Sequence, residues 1–409
     1  SHPSILPPPT LFVGLGESLH IAQKDRFYVG GSWYTDDVSY SFFSSPFNTH
    51  RITEFDPSSF LFIFPRPGRP LITSLPHDKI LWAAAKNQFF TDIVTPVGTL
   101  GQSVELRKVK LSTAVNGAIP DGVDVRMIMP GVTLSPGGKA QQQYKLYIGP
   151  KEYSLLEALG EHQERMMEWG WLAIFCRTLL WIMNQMHLLI PSYGITIILL
   201  TITLKAILWY PQSIANRSMK QMQQLNPLIQ ELQAKYKDNP TKLQEEQLKL
   251  FQTYNVSPLG GCLPMFVQFP IFLGFYYMLQ SAIELRHSSF LWIADLSQPD
   301  TVCTIPLAAL IGIHYAIPIN PMPLLMTASM LVSVQMTPQT ADAANNPMMG
   351  VMKFMPLIML FICYNFSAAL SLYWTMQNIL SIFQMYVNLR QPVPKLVKVS
   401  KKKRKPIWS

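Results

Sequence analysis

The 409-residue sequence predicts a membrane α-helical bundle of five transmembrane helices with a cytoplasmic helical hairpin, preceded by an extracytoplasmic β-sandwich domain. Three observations carry this reading. The chain is 49% hydrophobic and only 14% charged, against roughly 25% charged residues in an average soluble domain. Its apolar residues gather into long runs in the second half, whereas residues 1–150 are rich in proline and glycine and alternate apolar with polar. Finally, a lysine, Lys205, lies inside the apolar run from Tyr193 to Tyr210.

In residues 1–150 the alternations Val123, Val125, Met127, Met129 and Tyr144, Leu146, Ile148 have the period of two expected of strands with one buried face. Many short strands separated by turn residues, with no sustained helical period, favour a sandwich. The chain begins Ser-His-Pro without a basic, apolar leader. It is therefore expected to be a piece whose true N-terminus is missing.

Residues 151–190 are expected to hold an amphipathic interfacial helix and the approach to the membrane. Leu155, Leu156, Leu159, Met166 and Met167 interleave with Glu152, Glu157, Glu161, Glu164, Arg165 and Glu168, ahead of Trp169-Gly-Trp171. Tryptophan at a polar-to-apolar junction favours the headgroup level. Such a helix lies either along the membrane or packed on the sandwich.

The core, residues 191–390, holds five predicted spans at about 193–212, 262–283, 322–336, 350–366 and 369–388. The apolar stretch Val302 to Ile319 is broken by Pro306 and Pro318 and reads as an interfacial or re-entrant loop. Lys and Arg accumulate in loops that stay in the cytoplasm. Pro211 to Pro258 carries six basic residues, Arg217, Lys220, Lys235, Lys237, Lys242 and Lys249, while Glu284 to Asn320 carries only Arg286. The first of these segments is therefore cytoplasmic, and alternation leaves the N-terminal domain outside and the tail inside.

The cytoplasmic segment 213–257 reads as a hairpin of two helices. Met219, Met222, Ile229, Leu232 and Tyr236 recur at helical spacing, Asp238-Asn-Pro240 signals a turn, and Leu243, Leu250, Phe251 and Tyr254 resume the period. Its Gln- and Lys-rich exterior suits a partner surface or a plain solvated coiled coil. The tail, 391–409, carries Lys395, Lys398, Lys401, Lys402, Lys403, Arg404 and Lys405 without an acidic residue. It suits anionic lipid, nucleic acid or a solvated anchor.

An ionisable group within a span costs roughly 2.5–3.5 kcal/mol on insertion scales, so it usually faces a protein interior or a wet cavity. Lys205 either does this or snorkels to the nearer interface. Thr201, Lys205 and Gln212 fall at i, i+4 and i+11 on one helical face. Ser371, Thr375 and Asn378 fall at i, i+4 and i+7 in the last span, with Trp374 beside them and Ser381 one turn on. Ser329 and Ser333 add a third set. Such stripes line a wet cavity or simply bond packed helices together. Eleven of the 21 methionines lie between Met322 and Met385, suited to a surface accepting many helices or to ordinary core filling.

No catalytic, cofactor-binding or metal-binding motif is evident. Cys176, Cys262, Cys303 and Cys363 lack ligand spacing, and neither GxxxxGK[ST], HExxH nor GxSxG occurs. A non-enzymatic function without cofactors is expected. A secondary transporter or channel using the intramembrane lysine is the alternative, but it predicts inverted repeats and paired charges that the sequence lacks.

The run Asn255 to Tyr277, NVSPLGGCLPMFVQFPIFLGFYY, resembles the YidC-type membrane protein insertases. The resemblance continues through Glu284-Leu-Arg286, Leu291-Trp-Ile-Ala-Asp-Leu296, Phe366-Ser-Ala-Ala-Leu-Ser-Leu-Tyr-Trp374 and Gln377-Asn378, and reaches back to Tyr147-Ile-Gly-Pro150 and Trp169-Gly-Trp-Leu172. It implies a five-helix bundle with a hydrophilic groove open to cytoplasm and lipid, in which Lys205 stands where most relatives carry arginine. Thr201, Tyr373 and Trp374 match positions lining the substrate path; Trp374 replaces a tyrosine found in some relatives. The implied function is insertion and folding of new proteins in the bacterial inner membrane. Implied partners are nascent membrane proteins, ribosomes through the tail and hairpin, a Sec-type translocon and lipid, with no specific DNA. A first membrane helix and a larger external domain, present in Gram-negative relatives, have no counterpart here; truncation and divergence are the expected causes.

Overall fold

The computed structural model describes residues 4–5, 10–14, 29–35, 46–56, 58–60, 64–69, 71–73, 79–110, 121–237, 239–254, 256, 263–306, 316–336 and 347–390. They form two compact units, one of residues 1–170 with 281–283, the other of 171–280 with 284–409.

The first unit is β-rich. Its strands are β1 (Ser4–Ile5), β2 (Thr10–Gly14), β3 (Gly30–Thr35), β4 (Phe47–Arg51), β5 (Ser58–Phe60), β6 (Phe64–Arg66), β7 (Leu71–Thr73), β8 (Ile80–Lys86), β9 (Phe90–Val97), β10 (Ser103–Lys110), β11 (Asp121–Ile128), β12 (Thr133–Leu134) and β13 (Gln143–Pro150). A five-stranded antiparallel sheet runs β13-β9-β8-β3-β4 and a four-stranded one β2-β11-β10-β7. Trp33, Ala83, Ala85 and Val94 of the first share one core with Ile72, Val104, Leu106, Val123, Val125 and Met127 of the second, as a sandwich requires. Gly31 permits the close approach: a Cβ there would lie 2.3 Å from Leu106 Cδ2. The alternation at Tyr144, Leu146 and Ile148 has a different outcome. Tyr144 packs against the core, but Leu146 and Ile148 are exposed, because β13 is the edge strand.

The outer face of the five-stranded sheet is covered by the segment expected to be an interfacial helix. That expectation is corrected here: α1 (Tyr153–Leu159) is two turns long and stops at Gly160, whose φ of +80° an L-residue resists. Glu161 and His162 then hold left-handed backbone, and Gln163–Met167 form a 3-10 turn. This piece is pinned to the sheet by the Trp82 indole donating to Glu161 O (2.7 Å), by Gln163 Nε2 donating to Thr95 Oγ1 (3.1 Å) and by Tyr34 against His162. At its end Glu168 accepts from Thr49 Oγ1 (2.6 Å) and pairs with the buried Lys86 ammonium, which also donates to Thr49 Oγ1 (2.6 Å). The compact unit thus continues past residue 150, the expected domain boundary.

The second unit is helical: α2 (Ala173–Leu189), α3 (Tyr193–Ile207), α4 (Trp209–Lys235), α5 (Pro240–Tyr254), α6 (Leu263–Ser281), α7 (Pro321–Met336), α8 (Pro347–Cys363) and α9 (Ala368–Arg390). α2 lies where the sequence reading placed only an approach to the membrane. Four of the five predicted spans fall on α6, α7, α8 and α9. The remaining one, 193–212, is not a single helix: it breaks at Leu208, and the helix beyond bends by 58° and runs on into the hairpin. Among the described residues one helix, Gly170–Leu189, is by itself long and apolar enough to cross a membrane. α3 with α4 passes as a bent pair, and α7 and Phe354–Cys363 are shorter apolar helices.

α4 and α5 form the expected hairpin around Leu225, Ile229 and Val256, flanked by Met222, Leu250, Phe251 and Tyr254. Asn239 caps α5, its Oδ1 accepting from Lys242 N (3.1 Å), with Pro240 at the first helical position. Asp238 and the basic tail 391–409 lie outside the described residues.

Val302 to Ile319, read from sequence as an interfacial or re-entrant loop, contains an antiparallel ribbon of β14 (Cys303–Pro306) and β15 (Ala316–Ile319). Pairing satisfies the inward-facing groups of each strand, and each keeps an outer edge, the setting in which a strand tolerates proline.

Candidate functional site

α9 is the element on which the second unit's polar side chains converge. Its polar residues point to different neighbours: Asn378 to α7, Ser381 to α3, Tyr373 and Gln377 to α6, and Gln384 to α4. From α3, Lys205 is buried and its ammonium donates to the Ser381 hydroxyl (2.9 Å), which itself donates to Gln377 O (2.8 Å). No carboxylate lies within ion-pair distance of Lys205 among the described residues. Lysine carries three donors, and in α3 this one is buried against α9.

From α7, the Ser329 hydroxyl accepts from Asn378 Nδ2 (3.0 Å). From α6, Gln268 is a hub: its Oε1 accepts from Gln377 Nε2 (3.1 Å) and Gln212 Nε2 (3.4 Å), and its Nε2 donates to the Tyr373 hydroxyl (3.3 Å). From α4, Trp209 O accepts from Gln384 Nε2 (3.2 Å). A chain of polar groups therefore runs from Tyr373 through Gln268 to Gln377 and Gln212, with Ser381 and Lys205 one turn further along α9. Hydrogen bonds of this kind stitch apolar helices where water is absent.

The other expected site residues have separate places. Tyr373 is buried with its ring stacked on Phe275 at 4.0 Å, and Trp374 tilts against Phe272 at 4.6 Å. Thr201 shares the buried side of α3 with Lys205, but its hydroxyl donates to Ile197 O (2.7 Å) within its own helix. Thr375 does likewise to Ser371 O (2.7 Å), and the Ser371 hydroxyl is buried with no partner among the described residues. The structure thus brings Lys205 to Ser381, Asn378 to Ser329 and Tyr373 to Gln268, and leaves Thr201 outside the network.

Gln268 and Gln384 are the members that sequence reasoning passed over. The signal for Gln268 was present, a single amide in the apolar run Phe266-Val-Gln-Phe-Pro270. With no second polar residue one turn away, it formed no stripe.

Comparison with known proteins bears on this arrangement. A family profile described as 60Kd inner membrane protein matches residues 185–395, and one described as YidC periplasmic domain matches residues 73–182. A protein named membrane protein insertase YidC from Pelobacter propionicus is 36% identical over 315 residues, covering 76% of this chain and 55% of the relative. Its namesakes from a Janthinobacterium species (33% over 306 residues, 75% and 51%) and Chlorobaculum tepidum (35% over 321 residues, 76% and 51%) are similar. The chain spans about half the length of these relatives. A solved structure described as an active YidC insertase with its first transmembrane domain resolved aligns over 80% of this chain and 77% of that one, with a TM-score of 0.42 and 19% identity. The first profile covers more than half of the sequence and includes every helix of the polar network, so the chain belongs to the 60Kd inner membrane protein family, whose members here carry the name YidC.

Proposed function

We propose that this chain is a membrane protein insertase and chaperone of the bacterial inner membrane, acting on newly made membrane proteins without catalysis or a cofactor. The observation that carries the reading is Lys205, a buried cation in an apolar helix whose contact is a neutral hydroxyl. Membership in a family whose relatives are named membrane protein insertases supports a role for this cation in handling client proteins. Lys205 attracts the acidic residues of an incoming hydrophilic segment, which lowers the desolvation cost of taking polar groups partway across the bilayer. The client's apolar segment then leaves for lipid by its own hydrophobicity. Thr201, Ser371, Tyr373, Trp374, Thr375 and Asn378 line the path with Lys205. Because lysine lacks the planar fork of arginine, attraction by charge rather than bidentate geometry is what it supplies.

The topology belongs to the same proposal. The N-terminal unit is periplasmic, the α4–α5 hairpin and the basic tail are cytoplasmic, and five spans run through α3, α6, α7, α8 and α9. If α3 runs from periplasm to cytoplasm, the helix before it must begin and end outside. α2 then lies along the outer surface, apolar as it is, with the exposed Ile174, Trp181 and Leu188 turned to lipid. Tail and hairpin contact translating ribosomes, and a Sec-type translocon is a further partner.

Insertion of a client with an acidic translocated end into proteoliposomes tests the charge role. Lys205→Arg should retain activity, Lys205→Ala should lose most of it and Lys205→Glu should lose more. Full activity of Lys205→Glu would overturn the reading.

A further inference from the structure

The β14–β15 ribbon joins two apolar helices, α6 and α7, yet it is built unlike a water-exposed hairpin. No Asp, Glu, Lys or Arg occurs anywhere from Thr301 to Ala341, a stretch that contains both strands and the segment between them. On β14 and just before it, Val302 is 61% and Ile305 44% exposed, and Cys303 is exposed between them. In the preceding loop Leu291 is 74% exposed, and Trp292 shows nearly half its surface while its indole N–H donates to Asp300 Oδ2 (3.1 Å). A tryptophan with its polar edge tied to protein and its ring uncovered suits the boundary between headgroups and acyl chains.

The base of the ribbon is fixed to the bundle. Thr301 Oγ1 donates to Asn320 Oδ1 (2.8 Å), Asn320 Nδ2 donates to Tyr364 O (2.7 Å), and the Tyr364 hydroxyl donates to Pro318 O (2.6 Å). Asp300 Oδ2 also accepts from Met322 N (2.7 Å) at the start of α7. Thr301, Asn320 and Tyr364 tie both strands to the end of α8, and pairing satisfies the inward-facing backbone groups of each strand, while the outer-edge groups require the hydrated headgroup level. Exposed strands in water are ordinarily guarded by charge, especially lysine. This ribbon has none.

We propose that the ribbon, with Leu291 and Trp292 beside it, is a lipid-contacting surface that lies at the headgroup level of the bilayer, its apolar side chains reaching the upper acyl chains, at the end of the bundle where α6 ends and α7 begins. The commitment to lipid follows from continuity with two apolar helices, the uncharged sequence and the tryptophan placement; a client strand or a partner protein would leave the same side chains in water between encounters. The proposal rests on α6 and α7 crossing the membrane.

Cys303 provides the test without an engineered site. In the full chain in phosphatidylethanolamine and phosphatidylglycerol vesicles, a membrane-impermeant maleimide should modify Cys303 severalfold more slowly than a cysteine placed by Lys139→Cys in an exposed turn of the sandwich, read by peptide mass spectrometry. A spin label on Cys303, with the other cysteines replaced by alanine, should be more accessible to oxygen than to a nickel chelate. Modification as fast as at position 139, or a label more accessible to nickel, overturns the proposal. So does protection that develops only on adding a client or another membrane protein. An Asn239→Cys label in the α4–α5 turn reports sidedness separately, so an error in the topology is told apart from a ribbon that stays in water.

Discussion

The Lys205 ammonium in α3 donates a 2.9 Å hydrogen bond to the Ser381 hydroxyl in α9, joining residues 176 positions apart in the sequence. The contact fixes where the cation points without neutralising it. Ser381→Ala removes an acceptor whose net worth is about 1 kcal/mol, so insertion of an acidic client should fall roughly fivefold. Ser381→Asp supplies a carboxylate at the same place and should be worse, matching the loss in Lys205→Ala, because the charge is then spent within the protein. Proteoliposome insertion rates for the two variants check this; an active Ser381→Asp would show that the free charge is not needed.

Gln268 serves three partners, Gln377, Gln212 and Tyr373. Gln268→Leu is close in size and leaves those groups facing an apolar side chain, at about 1–3 kcal/mol for each buried polar group orphaned. The expected result is a bundle that unfolds at lower temperature in detergent and a client insertion rate reduced with it. Gln268→Glu keeps the acceptor and should introduce a competing anion near Tyr373, lowering insertion further than stability. Thermal unfolding and insertion, measured on the same preparations, separate the two effects.

Lys205 and the α9 stripe were legible because each breaks an apolar pattern at helical spacing, and the sandwich core was legible at Val123, Val125 and Met127 because period two sets one face inward. Three features were not. Leu146 and Ile148 alternate as core residues do, yet their strand lies at a sheet edge, which periodicity does not reveal. The helical pattern of residues 151–168 is cut at Gly160, and left-handed backbone at Glu161 and His162 is imposed by tertiary contacts to Trp82 and Tyr34. The β14–β15 ribbon was hidden because its prolines count against a strand, while pairing tolerates them in a ribbon where both strands are edges.

Glu168 and Lys86 form an ion pair over the five-stranded sheet, with Lys86 buried and Glu168 partly exposed. Burial, with Lys151 and Arg51 nearby, pushes the Lys86 ammonium well below its ordinary range against the pull of Glu54, and Glu168 is the carboxylate in direct contact with it. Glu168→Gln should destabilise the first unit by about 3–5 kcal/mol, since it strands a buried charge, and adding Lys86→Met should recover much of that. The sign with pH is definite. In the parent the folded state already binds fewer protons at Lys86 than the unfolded chain does, so stability rises with pH from the depressed folded value up to the unfolded one near 10.5, and loss of the Glu168 anion lowers the folded value further, so the variant gains more over that rise. The deficit should therefore shrink in alkali, as followed by heating the full chain and scoring proteolysis within residues 29–150.

Asp92 in β9 has the opposite dependence. Its carboxyl is raised to about 6 by burial, and among the described residues it has no hydrogen bond or ion pair to favour the charged form. The folded state thus holds a proton that the unfolded chain releases near the ordinary value of 3.8, so this group's contribution to stability falls as pH rises from about 4 to about 6 and stays lost above that. The side chain is close enough to solvent for screening to limit the effect to about 1 kcal/mol. Asp92→Asn should match the parent near pH 4, exceed it by that amount at pH 7 and lose this pH dependence. Thermal unfolding of the full chain at pH 4.5, 5.5 and 7 reads the slope directly; a parent that gains stability across this window relative to Asp92→Asn would mean that the carboxylate is favoured by the fold.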